Sequence, residues 1–233
     1  MKRSLPFIII VVVLAVAVGS AWYMSRPTPG STTTATPASP NQASNARPAQ
    51  LTGVPGAEPA HTLGSPNAPA HIEEFGDFQC PPCGIFHPIL TQMHKEFGDK
   101  LRITFREFPL QGHNHAVAAA SSAEASGMQN RYWEMHDMIY EHQADWKDKF
   151  DVRPVFEDYA KQLGLDVERW KRDVASEQVA QRIFLDGRRG HSMGVKGTPT
   201  VFLNGREVPF ETVIQPDKLR VVIQSQIAAS GSR

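Results

Sequence analysis

The chain has two cysteines, Cys80 and Cys83, and two prolines, Pro81 and Pro82, separate them. Any disulfide within the chain must therefore join these two residues. Such a bond closes a loop of four residues, so it restricts the unfolded chain less than a long-range disulfide would. Because the bond contributes little to folding, it can open and close as part of a reaction. The chemistry that this spacing indicates is thiol–disulfide exchange.

The residues around the cysteines predict that Cys80 lies at the N-terminus of a helix. His71–Phe78 is predicted to be a strand, and apolar residues recur at helical spacing after Cys83. Free N–H groups and the helix dipole would stabilise a Cys80 thiolate and lower its pKa. Pro81 and Pro82 suit the first helical positions, which need no N–H donor. We expect an exposed Cys80 to form the mixed disulfide and the deeper Cys83 to resolve it.

Metal binding is an alternative use of the cysteines. His87 and His94 are predicted to lie on the same helix as Cys83, and zinc requires four ligands. However, one helix rarely surrounds a tetrahedral ion, and the sequence has no second cysteine pair, so we predict no metal and no cofactor. His113 and His115 resemble a chelating pair, but a solvated loop is the simpler interpretation. An inert structural pair is a further alternative, which the short loop argues against.

The first 60 residues predict a membrane or export segment and a linker. Lys2 and Arg3 precede Leu5–Met24, an uncharged run, and about 20 apolar residues can cross a bilayer as one helix. We interpret residues 1–25 as a retained signal anchor, with a cleaved signal peptide as the alternative. Residues 26–60, rich in Pro, Ser, Thr and Ala, are predicted to be a disordered linker. The basic N-terminus predicts that the rest lies in an oxidising compartment outside the cytoplasm.

Composition supports one globular domain over residues 61–233. The chain is 41% hydrophobic and 21% charged, and its formal net charge is zero. A balanced charge gives no basic surface of the kind that nucleic acid attracts. We therefore expect no nucleic-acid partner.

The predicted elements form an α/β domain with helices inserted between two β regions. Strands over His71–Phe78 and Leu101–Phe108 flank the first helix. A block of helices is predicted within residues 112–194, with Asn114 and Asp166 as N-caps of two of them.

Strand character returns after the helical block. Thr200–Leu203 is a predicted strand, and Asn204-Gly205 predicts a type I′ turn into a returning strand over Glu207–Pro209. Pro216 begins a final predicted helix. The order βαβ, helices, ββα is an α/β architecture.

Two segments of the sequence together carry a family resemblance. One ends in the cysteines and the other precedes the predicted hairpin: Glu74-Phe75-Gly76-Asp77-Phe78-Gln79-Cys80-Pro81-Pro82-Cys83 and Gly194-Val195-Lys196-Gly197-Thr198-Pro199-Thr200. On these motifs the chain resembles the thioredoxin superfamily, and more closely the DsbA-like thiol:disulfide oxidoreductases with a helical insertion. The resemblance covers about residues 61–233 and implies a thioredoxin-like fold.

The resemblance also implies roles for individual residues. Thr198-Pro199 is expected to be a cis peptide facing the cysteines. Because Pro199 has no N–H, the backbone of Thr198 is left to pair with an extended client peptide. Glu74 matches the position of a buried acid that could accept the proton of Cys83, with Glu73 as a competitor for that role. The expected client-binding residues are Thr198, Pro81 and Pro82.

We predict an extracytoplasmic protein disulfide oxidoreductase. The strongest oxidants of the family carry a histidine between the cysteines. Pro81 and Pro82 replace it here, so the pKa of Cys80 should be lowered less. Oxidation remains the favoured direction. Expected partners are cysteine-containing clients and a membrane redox partner that recycles the pair, and the protein is expected to be a monomer. The alternatives are an envelope thiol reductase of the same fold, a membrane-tethered metal carrier, or a chaperone with incidental cysteines.

Overall fold

The computed structural model describes residues 54–231, which contain a five-stranded sheet. The predicted segment 1–25 and the linker as far as residue 53 lie outside the described residues. Within residues 54–231, no helix combines the length and the apolar character needed to cross a bilayer. The strands are β1 (His61–Leu63), β2 (Ala70–Gly76), β3 (Leu101–Glu107), β4 (Thr200–Leu203) and β5 (Arg206–Val208).

The sheet has the order β1-β3-β2-β4-β5, with the parallel pair β2–β3 at its centre and antiparallel pairs on both sides. Most of the helices lie between β3 and β4 in the sequence. The helices are α1 (Pro81–Phe97), α2 (Ala116–Gly127), α3 (Tyr132–Glu141), α4 (Gln143–Trp146), α5 (Arg153–Gln162), α6 (Val167–Val174), α7 (Glu177–Ser192), α8 (Phe210–Val213) and α9 (Pro216–Gly231), with a 3-10 turn over Gly98–Lys100.

The two faces of the sheet pack against different helices. Because side chains alternate along a strand, Ile72 and Glu74 of β2 lie on one face and Glu73 and Phe75 on the other. Ile72 packs in an apolar cluster with Phe86 of α1 and residues of α9. Glu73 binds α7 on the opposite side. The predicted class, a thioredoxin-like α/β domain with inserted helices, matches this architecture.

The central strands end earlier than the sequence predicts. β2 was expected to reach Phe78, but it ends at Gly76 because Asp77 begins a turn: its carbonyl accepts a hydrogen bond from the Cys80 N–H at 3.0 Å. In the register of the parallel pair, Gly76 lies beside Glu107. Both strands therefore stop at the edge of the sheet where α1 begins.

One predicted helix cap is confirmed and another is wrong. The Asp166 side chain accepts a hydrogen bond from the Arg169 N–H at 2.9 Å and caps α6. Asn114 was expected to cap α2, but the helix begins at Ala116 with His115 as its N-cap, whose N–H is bound instead by a side chain next to the cysteines. The helix therefore starts after the residue whose N–H is bound by the distant Gln79 side chain, and not after Asn114.

The folded region begins before His61, where the linker was predicted to end. Ala57 is fully buried, its N–H donates to Asp186 Oδ1 at 2.7 Å, and its carbonyl accepts from Arg106 Nη1 at 2.8 Å. Strand β1 was also not predicted. The composition of residues 26–60 does not predict that Ala57 is folded, because the partners that bind Ala57 lie on β3 and α7.

The hairpin between β4 and β5 has the predicted turn. Asn204 and Gly205 both have positive φ, 49° and 78°, as a type I′ turn requires. The Asn204 side chain also accepts a hydrogen bond from the His71 N–H at 2.7 Å. The turn is thereby attached to the start of the central strand β2.

Candidate active site

Cys80 is the N-cap of α1, and Pro81 and Pro82 occupy the first two helical positions. The backbone of Cys80 is extended (φ −70°, ψ 120°), and its carbonyl accepts the first helical hydrogen bond from the Gly84 N–H at 3.2 Å. The predicted position at a helix N-terminus is therefore the one observed. Because the two prolines have no N–H and the Gly84 N–H is already bonded, the helix dipole and the Cys83 N–H are what the first turn offers to the Cys80 sulfur.

A buried aspartate holds the turn that leads into Cys80. The Asp77 side chain is fully buried, and its Oδ1 accepts from the Gln79 N–H at 2.8 Å. Its Oδ2 accepts from the Leu110 N–H at 2.9 Å and from His113 Nδ1 at 2.7 Å. Asp77 was not among the predicted site residues, although an aspartate that binds the N–H two residues further on is a known turn signal.

Two glutamines attach the same turn to the inserted helices. Gln79 donates to the Lys147 carbonyl at 2.8 Å and accepts from the His115 N–H at 2.6 Å. Gln143 Nε2 donates to the carbonyls of Phe78 and Cys80 at 2.7 and 2.9 Å. The loop containing His113 and His115 thus supports the turn, rather than being a simple solvated loop or a chelating pair.

The surroundings of Cys80 favour its thiolate. They lower its pKa to about 6, chiefly through a hydrogen bond from the Cys83 side chain, with further contributions from Thr198 and the Cys83 N–H. Burial and the negative charge of Asp77 act in the opposite direction. The sequence predicted an exposed Cys80, but the residue is only 5% exposed. Its neighbours therefore cover almost all of this residue in the structure.

Cys83 has the opposite electrostatic character. It is fully buried, and its pKa is raised well above that of a free thiol by burial, by the Cys80 sulfur and by the charge of Glu74. Both cysteines are in the thiol form in this structure. One sulfur of the pair is therefore readily ionised and the other holds its proton.

Glu74, and not Glu73, lies on the face of the sheet below the cysteines. Glu74 is 2% exposed, and burial followed by the Cys80 charge raises its pKa to about 8. Glu73 points to the other face, where Arg189 and Arg106 bind it at 2.7 and 2.9 Å and lower its pKa despite its burial. The geometry therefore separates the two acids that the sequence left in competition.

The Thr198-Pro199 bond is cis, as the resemblance implied. The Cys80 thiol donates to the Thr198 carbonyl at 3.2 Å. The Thr198 hydroxyl is buried and has no hydrogen-bond partner among residues 54–231. It is free to donate to the thiolate when Cys80 ionises, in agreement with its effect on the Cys80 pKa.

The sheet, the inserted helices and the cysteine pair at the start of α1 define a thioredoxin-fold protein. A family model described as Thioredoxin matches residues 57–225. The chain belongs to this thioredoxin family, which confirms the resemblance in its motifs.

Curated relatives include a Na(+)/H(+) antiporter and a probable disulfide bond formation protein. The chain is 38% identical over 141 residues to the Na(+)/H(+) antiporter NhaA 1 of Salinispora arenicola, a match that covers 60% of this chain but only 21% of that protein. It is 30% identical over 145 residues to the probable disulfide bond formation protein D of Bacillus anthracis, covering 60% of this chain and 67% of that protein. The chain thus spans about a fifth of the antiporter's length.

Solved structures share the fold at low sequence identity. BdbD from Bacillus subtilis, in its oxidised form, has a TM-score of 0.64 and 23% identity, covering 72% of this chain and 93% of that one. The thiol-disulfide exchange protein alpha-DsbA2 from Wolbachia pipientis has a TM-score of 0.62 and 22% identity, covering 71% and 86%. These likenesses confirm the predicted fold.

Proposed function

We propose that this protein is a thiol–disulfide oxidoreductase that oxidises cysteine-containing client proteins outside the cytoplasm through Cys80 and Cys83. The opposite ionisation of the two sulfurs is the main support: the pKa of Cys80 is lowered to about 6, whereas that of Cys83 is raised. Such a pair can hold one sulfur ready to react or to leave and keep the other protonated until it is needed. The similarity to a probable disulfide bond formation protein is consistent with this role.

The reaction begins with the Cys80–Cys83 disulfide. A client thiolate attacks Cys80 Sγ, the internal S–S bond breaks, and Cys83 leaves as a thiolate that takes up a proton. A second client thiolate then attacks the client sulfur of the mixed disulfide, and Cys80 leaves as a stabilised thiolate. Two electrons pass from the client thiols to the pair, and the client gains a disulfide.

Glu74 is the proposed proton carrier for the buried sulfur. With a pKa of about 8 it is mostly protonated at neutral pH, so it can give its proton to the departing Cys83 thiolate. When a membrane redox partner reoxidises the pair, the Glu74 carboxylate that this transfer leaves behind takes the proton back from Cys83.

Client binding is proposed at the exposed side of the site. Cys80 donates to the Thr198 carbonyl, which places the backbone before Pro199 beside the reactive sulfur. An extended client segment can pair with this backbone, and Pro81 and Pro82 form the adjacent start of α1.

Oxidation is the favoured direction because stabilising the Cys80 thiolate stabilises the reduced form of the pair, and the disulfide form therefore accepts electrons more strongly. A reductase of the same fold would have a less stabilised thiolate. The reduction potential against glutathione separates the two: about −120 mV indicates a strong oxidant and about −270 mV a reductase.

Serine variants test the roles of the two cysteines. Cys80→Ser is expected to abolish oxidation of a reduced, unfolded client. Cys83→Ser, with Cys80 first converted to its mixed disulfide with glutathione, is expected to exchange the glutathione for a client thiol and keep the client as a covalent adduct, visible on a non-reducing gel. The double variant is the control, which should form no adduct. A parent protein that oxidises no client, together with single variants that keep the client from aggregating as well as the parent does, would instead indicate a chaperone with incidental cysteines.

A metal carrier that uses the cysteines has weaker support. Among the described residues, the one group of three potential metal ligands does not include Cys80 or Cys83. Stoichiometric metal binding that is lost in both serine variants would favour the carrier over the enzyme.

The proposed location outside the cytoplasm depends on the N-terminal sequence. Lys2 and Arg3 before the apolar run Leu5–Met24 favour a signal anchor, with an oxidising compartment beyond it. Retention of the full chain in alkali-washed membranes, with the domain open to added protease after removal of the outer cell layers, is the expected result. Release of a shortened chain would indicate a cleaved signal peptide.

A further inference from the structure

Three potential metal ligands, none of them a cysteine, meet between α1 and α3. His87 lies on α1, four residues after Cys83, and His136 and Asp137 are neighbours on α3. Asp137 Oδ1 lies 3.0 Å from His87 Nε2 and 2.9 Å from His136 Nδ1, and all three ligand atoms lie within 4.8 Å of one another. We propose that these side chains form a binding site for a divalent transition-metal ion, with zinc as the best match.

The ligand types select the metal. Two imidazole nitrogens and one carboxylate oxygen are a donor set that zinc uses in three-ligand sites, where water completes a tetrahedron. Calcium and magnesium prefer oxygen ligands and more of them. The donor set therefore favours zinc, with cobalt(II) as a spectroscopic substitute.

Two of the three separations between ligand atoms require only a small adjustment, and the third, between the two ring nitrogens, is within 4.8 Å. Zinc bonds of about 2.0–2.1 Å in a tetrahedron place ligand atoms roughly 3.3 Å apart. The two observed separations from Asp137 Oδ1 are a few tenths of an ångström shorter, 3.0 and 2.9 Å. The Asp137 side chain is 49% exposed and can rotate outward, which opens the space for the ion and gives it a route from solvent.

The His136 ring is held in place by aromatic side chains. It is 4% exposed, and the ring centroids nearest to it are those of Phe105 at 4.7 Å and of Trp133 and Tyr140 at 5.0 Å. A ring packed in this way keeps one orientation, with its Nδ1 directed at Asp137 Oδ1.

Binding has an identifiable cost. Nδ1 of His136 must release its proton to Nε2, which is buried and has no hydrogen-bond partner within residues 54–231. Strong zinc sites usually satisfy that second nitrogen. We therefore expect weaker binding here than in a closed site of four protein ligands.

A bound ion would connect the catalytic helix to the inserted helices. His87 belongs to the helix that carries the cysteines, and its ring stacks on Tyr140 of α3 at 5.2 Å. Joining α1 to α3 through a metal should raise the thermal stability of the domain. This site does not depend on the proposed redox function.

The test uses the full chain with Cys80 and Cys83 oxidised to their disulfide, and in parallel the Cys80→Ser/Cys83→Ser variant, so that thiols cannot bind the ion. Zinc competition with a chromophoric chelator is expected to show one equivalent bound in both proteins. Cobalt(II) should give the visible absorption of a tetrahedral ion, and zinc should raise the melting temperature.

Variants locate the ion. Asp137→Asn keeps the shape and one acceptor oxygen, and His87→Gln lies on the other helix; each should weaken zinc binding at least tenfold and remove the zinc-dependent rise in melting temperature. His94→Gln, also on α1 but outside the cluster, is the control and should bind like the parent.

Two results would overturn the proposal. One is zinc binding that survives unchanged in both Asp137→Asn and His87→Gln, since the ion would then lie elsewhere. The other is binding that appears only when the cysteines are reduced. Circular dichroism of each variant without metal shows whether it is folded. Because the two substitutions lie on separate helices, a loss of zinc binding in two folded variants cannot be explained by misfolding of one helix.

Discussion

Glu73 and Glu74 are neighbours on β2 and are both buried, but their pKa values are shifted in opposite directions on the two faces of the sheet. Glu73 accepts hydrogen bonds from Arg106 and Arg189, and its pKa is lowered. The Glu74 side chain has no hydrogen bond or ion pair among the described residues, and its pKa is raised to about 8. Burial is the largest influence on both residues, so the difference comes from the arginines that only one of them has.

The two faces therefore use buried charge differently. On the α7 face, Arg106 also binds Asp186 Oδ1 at 3.0 Å and the Ala57 carbonyl at 2.8 Å, so each charge has a partner and the N-terminal segment is held in place. On the cysteine face, Glu74 is left without compensation beside a reactive sulfur. An acid in that condition destabilises the fold when it ionises, and such groups are concentrated at functional sites.

The largest predicted effect is on the paired face. Arg106→Met leaves Asp186 without its ion-pair partner and Glu73 with only Arg189, and removing one member of a buried ion pair typically costs about 3–5 kcal/mol of unfolding free energy. Urea denaturation measures this loss. Arg131→Met is the matched control: Arg131 pairs with Glu134 on the surface, and such pairs contribute about 0–1 kcal/mol. Equal losses of unfolding free energy in Arg106→Met and Arg131→Met would show that the ion pairs of Arg106 are not buried in solution.

The next effect, on the cysteine face, depends on pH. The pKa of Glu74 is about 8 in the folded protein, against an ordinary value of 4.5 for a glutamate in the unfolded chain, so below pH 4.5 the group is mostly protonated in both states and has little effect. As pH rises toward 8, the unfolded chain ionises first, and the folded state loses up to about 3 kcal/mol at pH 7 from this group. Glu74→Gln should therefore match the parent at pH 4 and exceed it in stability at pH 7.

Glu73→Gln gives the opposite sign and serves as the control for this measurement. Because the folded pKa of Glu73 is lowered, its charge stabilises the fold at pH values above the ordinary glutamate pKa of 4.5, and this stabilisation is lost as pH falls through the folded pKa. Parallel stability curves for Glu74→Gln and the parent between pH 4 and 8 would contradict the unpaired state of Glu74. Slower reoxidation of Glu74→Gln, by about a hundredfold, is expected if the carboxyl carries the proton.

The sequence predicts what depends on neighbouring residues. Cys80 at a helix N-terminus follows from the prolines beside it, and the turn at Asn204 follows from one dipeptide. Strand alternation puts Glu73 and Glu74 on opposite faces, but it cannot say which face receives the cysteines, because helix packing decides that. Asp77 and Ala57 were missed since their partners are distant in sequence, 36 residues away at His113 and 129 at Asp186.

The smallest predicted effect concerns Asp77, a buried acid that has hydrogen-bond partners, as Glu73 does, and lies close to Cys80, as Glu74 does. It is paired like Glu73, with His113 and the Leu110 N–H, yet its charge still raises the pKa of Cys80. His113→Gln removes the ring that faces this charge and should raise the Cys80 pKa by a fraction of a unit; Asp77→Asn removes the charge and should lower it.

Thiolate absorbance near the ultraviolet edge, followed against pH, measures both variants in the reduced protein. A distortion of the turn would move the Cys80 pKa toward that of a free thiol in both variants, because the helix N-terminus would no longer act on the sulfur. Shifts of opposite sign are therefore specific to electrostatics. A rise in both would show that Asp77 and His113 act only by holding the backbone between Gly76 and Cys80.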